Sequence, residues 1–288
     1  MGASEVIPDP VAKVVLPPTL VQMHRGVGQG TLVFFPDFGG NTIYARPMVT
    51  ALGLAVSCCA MRLSVDMVAA LDTCSVEDLG RRFAADLVAA DLPRPLHLMG
   101  FSFAGCLAYE TARQLSQGGA APDMLWILDL IQRRRFGPRE FLRRPARHTV
   151  DLARFAKRNW RAILLRQPDP NIVEAYGVWR IDMSAHPAAY RPILRGMYAA
   201  FLKYRAKASP APMTVVCASE GARRGGLDEG LGWRGLATGP FAAITVPGDH
   251  LTMLQKPENA RVIADHVRAV LNTQTAVPEK QIKDQTHD

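Results

Sequence analysis

No stretch of this chain reaches the roughly 18 consecutive apolar residues that a membrane-spanning helix needs, so a span is excluded. The opening residues, 1–19, lack the basic-then-apolar form of a secretory leader; they carry Glu5 and Asp9 among Pro8, Pro10, Pro17 and Pro18. Cysteine is scarce and poorly spaced: Cys58, Cys59, Cys74, Cys106 and Cys217 make an odd number with no C-x-x-C pair. That argues against a disulfide scaffold, and the expectation is a cytoplasmic, reduced protein. What is present is ordinary. Apolar residues make up 48% and charged residues 21%, which excludes wholesale disorder. The 288 residues suffice for one α/β domain with an insertion, or for two small domains.

The net charge of +8 suggests nucleic acid until its distribution is read. Residues 133–166 hold twelve basic side chains against Glu140 and Asp151, a local +10, which leaves the other 254 residues at −2. The basicity is one segment's property. Its arginines either solvate the outer face of helices or steer an acidic partner by charge.

Short apolar, β-prone runs recur at Thr31–Phe35, Ala55–Cys59, Leu96–Met99, Met124–Leu128, Met213–Cys217 and Ala242–Val246. Continuous rather than alternating, they suit strands covered on both faces of a parallel sheet. Helical patterns separate many of them. Ser75 with Asp78 predicts an N-cap, and a helix follows through Leu79, Phe83, Leu87 and Val88. Another runs from Ala104 to about Gln117 and stops at Gly118-Gly119; a third starts at Pro257. From Ile131 to about Ser209 the sheet pattern breaks. Leu152, Phe155, Trp160 and Ile163 form one stripe there, with Arg154, Lys157, Arg158 and Arg161 opposite, and a second helical stretch covers Pro192–Tyr204. An all-helical insertion at about 131–209 is the expected lid, inside a domain spanning 20–272. Residues 1–19 read as a lead-in and 273–288 as a polar tail. Gly26, Gly28 and Gly30 precede a strand instead of following one, and so read as a loop.

The chemistry-bearing run is Leu96 to Gly105, a strand followed at once by G-x-S-x-G and then a helix. That order holds Ser102 on a sharp turn with its hydroxyl exposed, as in the α/β-hydrolase fold. A serine hydroxyl needs a histidine to take its proton, and the histidine needs a carboxylate to fix its tautomer. In this fold the acid and then the histidine follow the serine in the chain. His250, in the loop after the last strand, is favoured over His148 and His186 of the insertion; His266 lies on the last helix and His287 in the tail. Asp129 ends the strand after the nucleophile helix and is favoured as the acid. Glu220, ending the next strand, is its rival, and Asp249 adjoins His250. An oxyanion hole needs two backbone N–H groups. One is expected from Phe103, the other from the loop 35–41, where Gly39-Gly40 permits close approach.

The stretches FFPDFGGNTIYARPM, SVEDLGRRFAADLVAADLPRPLHLMGFSFAGCLAYETARQL, LWILDL, LGWRGLATG and VPGDHLTML together resemble the type I thioesterase domains that end polyketide and nonribosomal peptide assembly lines. The resemblance spans about Leu20 to Leu271. It implies the α/β-hydrolase fold, Asp129 rather than Glu220 as the acid, and Phe38 as the second oxyanion donor. It implies that Ser102 takes an acyl chain from the phosphopantetheine arm of an acyl or peptidyl carrier protein, then releases it by hydrolysis or cyclisation. Neither metal nor bound cofactor is implied. Phe101, Ala104 and Asp37 depart from the family's common residues, which are tryptophan or tyrosine, glycine, and a small residue or proline. The alternatives are a stand-alone esterase or acyltransferase of the same fold, and a basic RNA- or membrane-binding protein acting through 133–166.

Overall fold

The computed structural model describes residues 16–28, 30–132, 172–174, 180–182, 186–222 and 230–275. Its strands are β1 (Leu20–His24), β2 (Thr31–Phe34), β3 (Ser57–Met61), β4 (Leu96–Phe101), β5 (Met124–Leu128), β6 (Ile172–Glu174), β7 (Arg180–Asp182), β8 (Met213–Ala218) and β9 (Phe241–Val246). Seven of them form one sheet in the order β1-β3-β2-β4-β5-β8-β9. Every pairing in it is parallel except β1 with β3.

The helices are α1 (Arg46–Leu52), α2 (Val65–Ala70), α3 (Val76–Ala90), α4 (Phe103–Gln117), α5 (Arg191–Lys203), α6 (Ser219–Ala222), α7 (Thr252–Gln255) and α8 (Pro257–Thr275). They cover both faces of the sheet. On β2, Val33 packs into a core with Phe83 of α3 and Leu107 of α4, while Leu32 and Phe34 pack into a second core with Met48 of α1 and Ile263 of α8. Two apolar covers explain why the strands read as unbroken apolar runs. α3 opens with a capping box: the Asp78 N–H donates to Ser75 Oγ at 3.1 Å, and the Ser75 N–H donates back to Asp78 Oδ2 at 3.1 Å. Its Gly80 lies against α4 so closely that a Cβ would fall 2.8 Å from Glu110 Cγ. Among the described residues no helix is long and apolar enough to cross a membrane.

The six expected strands are present. β3 lies two residues later than its apolar run, because Gly53–Ala55 forms a 3-10 turn. The expected all-helical insertion is corrected in one respect. It contains the antiparallel pair β6–β7, in which Val173 pairs with Ile181, before α5 supplies the helix expected at Pro192–Tyr204. The basic stretch 133–166, with its expected helix, lies outside the described residues, as do most of the lead-in and the end of the tail.

One buried group makes stability depend on pH. His97 on β4 is 1% exposed, and neither ring nitrogen has a hydrogen-bond partner among the described residues. Burial pulls its pKa from 6.5 down to about 4, with Asp123 opposing and Arg94 assisting. The folded chain therefore holds His97 neutral where the unfolded chain would protonate it. Its stabilising contribution is complete above about pH 6.5 and is lost as pH falls toward about 4, a cost of at most about 3 kcal/mol. Urea unfolding of His97→Leu and wild type at pH 7 and pH 4.5 checks this. The variant's relative stability should rise on acidification; a constant difference refutes it.

Candidate active site

β4 and β2 are neighbours, yet the chain passes from β2 to β3 on one side before crossing to β4 on the other. A crevice opens where strand order reverses, beyond the strands' carboxyl ends. Ser102 leaves β4 at this point, and the 35–41 loop leaves β2.

Ser102 sits at φ 53° and ψ −129°, a conformation that costs a residue with a Cβ about 1–3 kcal/mol. The turn is held by the Ser102 N–H donating to Leu128 O at 2.9 Å and the Gly105 N–H donating to Ser102 O at 2.9 Å. A Cβ on Gly100 would lie 2.2 Å from Ala104 O, so glycine is required there. Phe103 is the first residue of α4, and its N–H has no partner within the helix.

Asp129 follows β5 at φ 47°. Its N–H donates to Val216 O at 2.7 Å, its Oδ1 accepts from the Ala218 N–H at 3.0 Å, and its Oδ2 lies 2.7 Å from His250 Nδ1. A carboxylate can only accept, so Nδ1 carries the proton and Nε2 presents a lone pair. The Asp129 side chain is 11% exposed and that of His250 44%, so the pair has a buried anchor and an open end. The Phe101 ring stacks on the imidazole at 4.6 Å and 27°.

The rivals stand elsewhere. Asp249 Oδ1 accepts from the N–H groups of Leu251 and Thr252 at 2.9 and 2.8 Å, so that carboxylate shapes the turn into α7. Glu220 is exposed on α6. His266 packs edge-on against Trp126. His186 does reach the site, lining the same cavity as Ser102 and His250, whereas His148 and His287 lie outside the described residues.

That cavity encloses about 900 Å³. Ser102, Phe103, His250 and Phe38 line it, with Tyr190 and Tyr198 from the insertion and Arg46 from α1. Asp37, the unusual residue of the 35–41 loop, turns out to shape it. Its Oδ1 accepts from the N–H groups of Gly39 at 2.8 Å and Asn41 at 3.2 Å, while Gly40 at φ 76° donates to Asp37 O at 2.9 Å. Burial raises the Asp37 pKa, and those N–H groups oppose the rise. The Phe38 and Phe103 rings stack at 4.2 Å.

Three supports were not legible in the sequence. The Tyr44 hydroxyl donates to Phe35 O at 2.7 Å and holds the end of β2. The Trp233 indole donates to Leu130 O at 2.6 Å, directly after Asp129, which gives the Leu231-Gly232-Trp233 run a structural role. Glu110, buried in α4, accepts from Arg113, Gln114 and the Tyr204 hydroxyl, tying the end of the insertion to the nucleophile helix. The signals present, Tyr44, Trp233 and Glu110 in the chain, carry no spacing that names their partners.

The thioesterase-domain family model matches residues 31–271. Among solved structures, a four-domain nonribosomal peptide synthetase, holo-AB3403 bound to AMP and glycine, is similar with a TM-score of 0.62 and 19% identity over 92% of this chain. This chain spans 21% of that protein's length. YbtT, a type II thioesterase from the yersiniabactin pathway, gives 0.58 and 19% identity over 88% of this chain and 98% of its own. The Vlm2 thioesterase domain bound with a dodecadepsipeptide gives 0.55 and 18% over 87% and 97%. At these identities the likeness shows the fold. No curated protein matches the chain.

Proposed function

The chain belongs to the thioesterase-domain family, with the α/β-hydrolase fold, and from that premise we propose that it releases an acyl or peptidyl chain from a carrier-bound thioester through an acyl-Ser102 intermediate. The observation that carries this reading is the Asp129–His250 pair at 2.7 Å, sharing one cavity with a serine on a strained strand-to-helix turn.

Ser102 Oγ attacks the thioester carbonyl carbon while His250 Nε2 takes its proton and Asp129 stabilises the imidazolium. The N–H groups of Phe38 and Phe103 hold the oxyanion. The C–S bond then breaks, the thiol leaves with the proton from His250, and the acyl group stays on Ser102. Water, or a hydroxyl or amine of the bound acyl chain, gives its proton to His250 and attacks the ester carbonyl carbon; the C–O bond to Ser102 breaks, and Ser102 Oγ takes that proton back from His250. The product is an acid, a lactone or a lactam. The catalytic groups are this chain's own side chains and backbone N–H groups; the phosphopantetheine belongs to the carrier.

Two relatives' own descriptions, a peptide-bound thioesterase domain and a thioesterase of an NRPS/PKS pathway, support polyketide or nonribosomal peptide biosynthesis as the setting. The insertion, whose Tyr190 and Tyr198 line the cavity, serves as the lid. By charge, its +10 stretch at 133–166 suits an acidic carrier as the docking partner. The test is intact-mass detection of an acyl adduct from acyl-pantetheine thioesters and from simple esters of the same acids. Acylation selective for thioesters, with further gain when a carrier holds them, supports the reading. Equal acylation by simple esters points to a stand-alone esterase.

A further inference from the structure

Four aromatic rings meet at the two expected oxyanion donors. Phe38 and Phe103 stack on each other at 4.2 Å with 14° between their planes. α5 supplies the other two. Tyr198 meets Phe38 edge-on at 5.3 Å, and Phe201 meets both, at 5.6 Å from Phe38 and 5.5 Å from Phe103, near-perpendicular to each. The same helix presses Ile193 toward Gly40, where a Cβ would lie 3.2 Å from its methyl carbon.

Phe38 and Phe103 belong to separate chain segments, one after β2 and one after β4. The bonds that shape the 37–41 loop are internal to it: Asp37 N to Asn41 O, Gly40 N to Asp37 O, and the Asp37 carboxylate to Gly39 and Asn41. They fix the loop's shape, not its distance from the turn at Ser102. The β2–β4 pairing brings the two segments side by side as far as Phe34 and Met99; beyond it the Phe38 and Phe103 rings meet by side-chain packing, and Phe201 touches both. It is not one of the cavity-lining residues, whereas Tyr198 is. Just beyond it, the Tyr204 hydroxyl bonds buried Glu110 at 2.8 Å, so the helix that carries Phe201 is fixed to α4.

We propose that Phe201 is a positioning residue for the oxyanion hole, wedging the Phe38–Phe103 stack so that the two backbone N–H groups keep the spacing a tetrahedral oxyanion needs. This rests on the reading under Proposed function, in which those N–H groups bear the developing charge. An error near 1 Å in such a constellation costs up to about 100-fold in rate. Donors that act on the transition state alone change kcat and leave KM in place.

The experiment measures steady-state kinetics of wild type, Phe201→Ala, Phe201→Leu and Phe201→Tyr with an acyl-N-acetylcysteamine thioester. Second-order labelling by a fluorophosphonate is measured in parallel, with rates normalised to the folded fraction from thermal melts. Phe201→Ala should lose about 10- to 100-fold in kcat with KM within about twofold, and labelling should slow comparably. Phe201→Tyr, which keeps the ring, should restore most of the rate; Phe201→Leu, which fills the site without a ring, should fall between. Unchanged kcat in the folded alanine or leucine variant overturns the proposal. So does a rise in KM alone, which would make Phe201 a substrate contact. A wild type that neither turns over nor labels overturns the functional reading itself, and the two failures are distinguishable.

Discussion

Ser102→Ala loses about 10⁴- to 10⁶-fold in kcat and no longer forms the acyl adduct, while its melting temperature stays near wild type. On the proposed mechanism the rate falls because the nucleophile is gone, and what remains comes from the oxyanion donors and binding. Stability holds because the strain at this position is a property of a Cβ at φ 53°, and alanine keeps the Cβ. Ser102→Gly separates the two effects. It is equally inactive, yet it relieves the strain and should melt higher by an amount equivalent to about 1 kcal/mol. Kinetics and calorimetry on the three proteins check both halves. An alanine variant that retains more than a hundredth of the wild-type rate would remove Ser102 from the nucleophile's role.

Asp129→Asn loses about 10⁴-fold in kcat with little change in stability. The Ala218 N–H decides why. It donates to Oδ1 at 3.0 Å, so an asparagine must turn its carbonyl oxygen that way, and its NH₂ then faces His250 Nδ1. Nδ1 becomes the acceptor, the proton moves to Nε2, and the imidazole can no longer take one from Ser102. Asparagine also tolerates the positive φ of 47° well, so the backbone is undisturbed. Glu220→Gln is the control. It should keep wild-type kcat, and the reverse outcome would exchange the two carboxylates' roles.

What the sequence made legible follows from which interactions are local. The buried strands announce themselves because β2, β4 and β5 are covered on both faces and carry unbroken apolar runs. The Ser102 turn, the Ser75–Asp78 capping box and the start of α8 at Pro257 are set by neighbours within a few residues. β1 escapes such reading. As an edge strand with one buried residue in five and partly exposed neighbours, Leu20–His24 has no apolar run to show. The β6–β7 pair escapes because three-residue strands have too little length for periodicity. At the site, the choice of Asp129 over Glu220 rested on position and family resemblance, whereas the reason Asp249 is unsuited is a set of hydrogen bonds that only coordinates display. His186 belongs to the insertion by sequence, and only the fold shows that it lines the cavity with Pro187 and Tyr190. Asp37 looked like an intruder beside the oxyanion loop and is instead the acceptor that closes it.

The two ends of the insertion are tied to elements that carry the candidate site. At its start the Trp233 indole holds the carbonyl of Leu130; after its last helix the Tyr204 hydroxyl is bound to Glu110. Because these ties hold the Asp129 turn and α4 through Leu130 and Glu110, changes elsewhere in the insertion should leave the Asp129–His250 pair at 2.7 Å, provided Phe201 keeps its contact with Phe38 and Phe103.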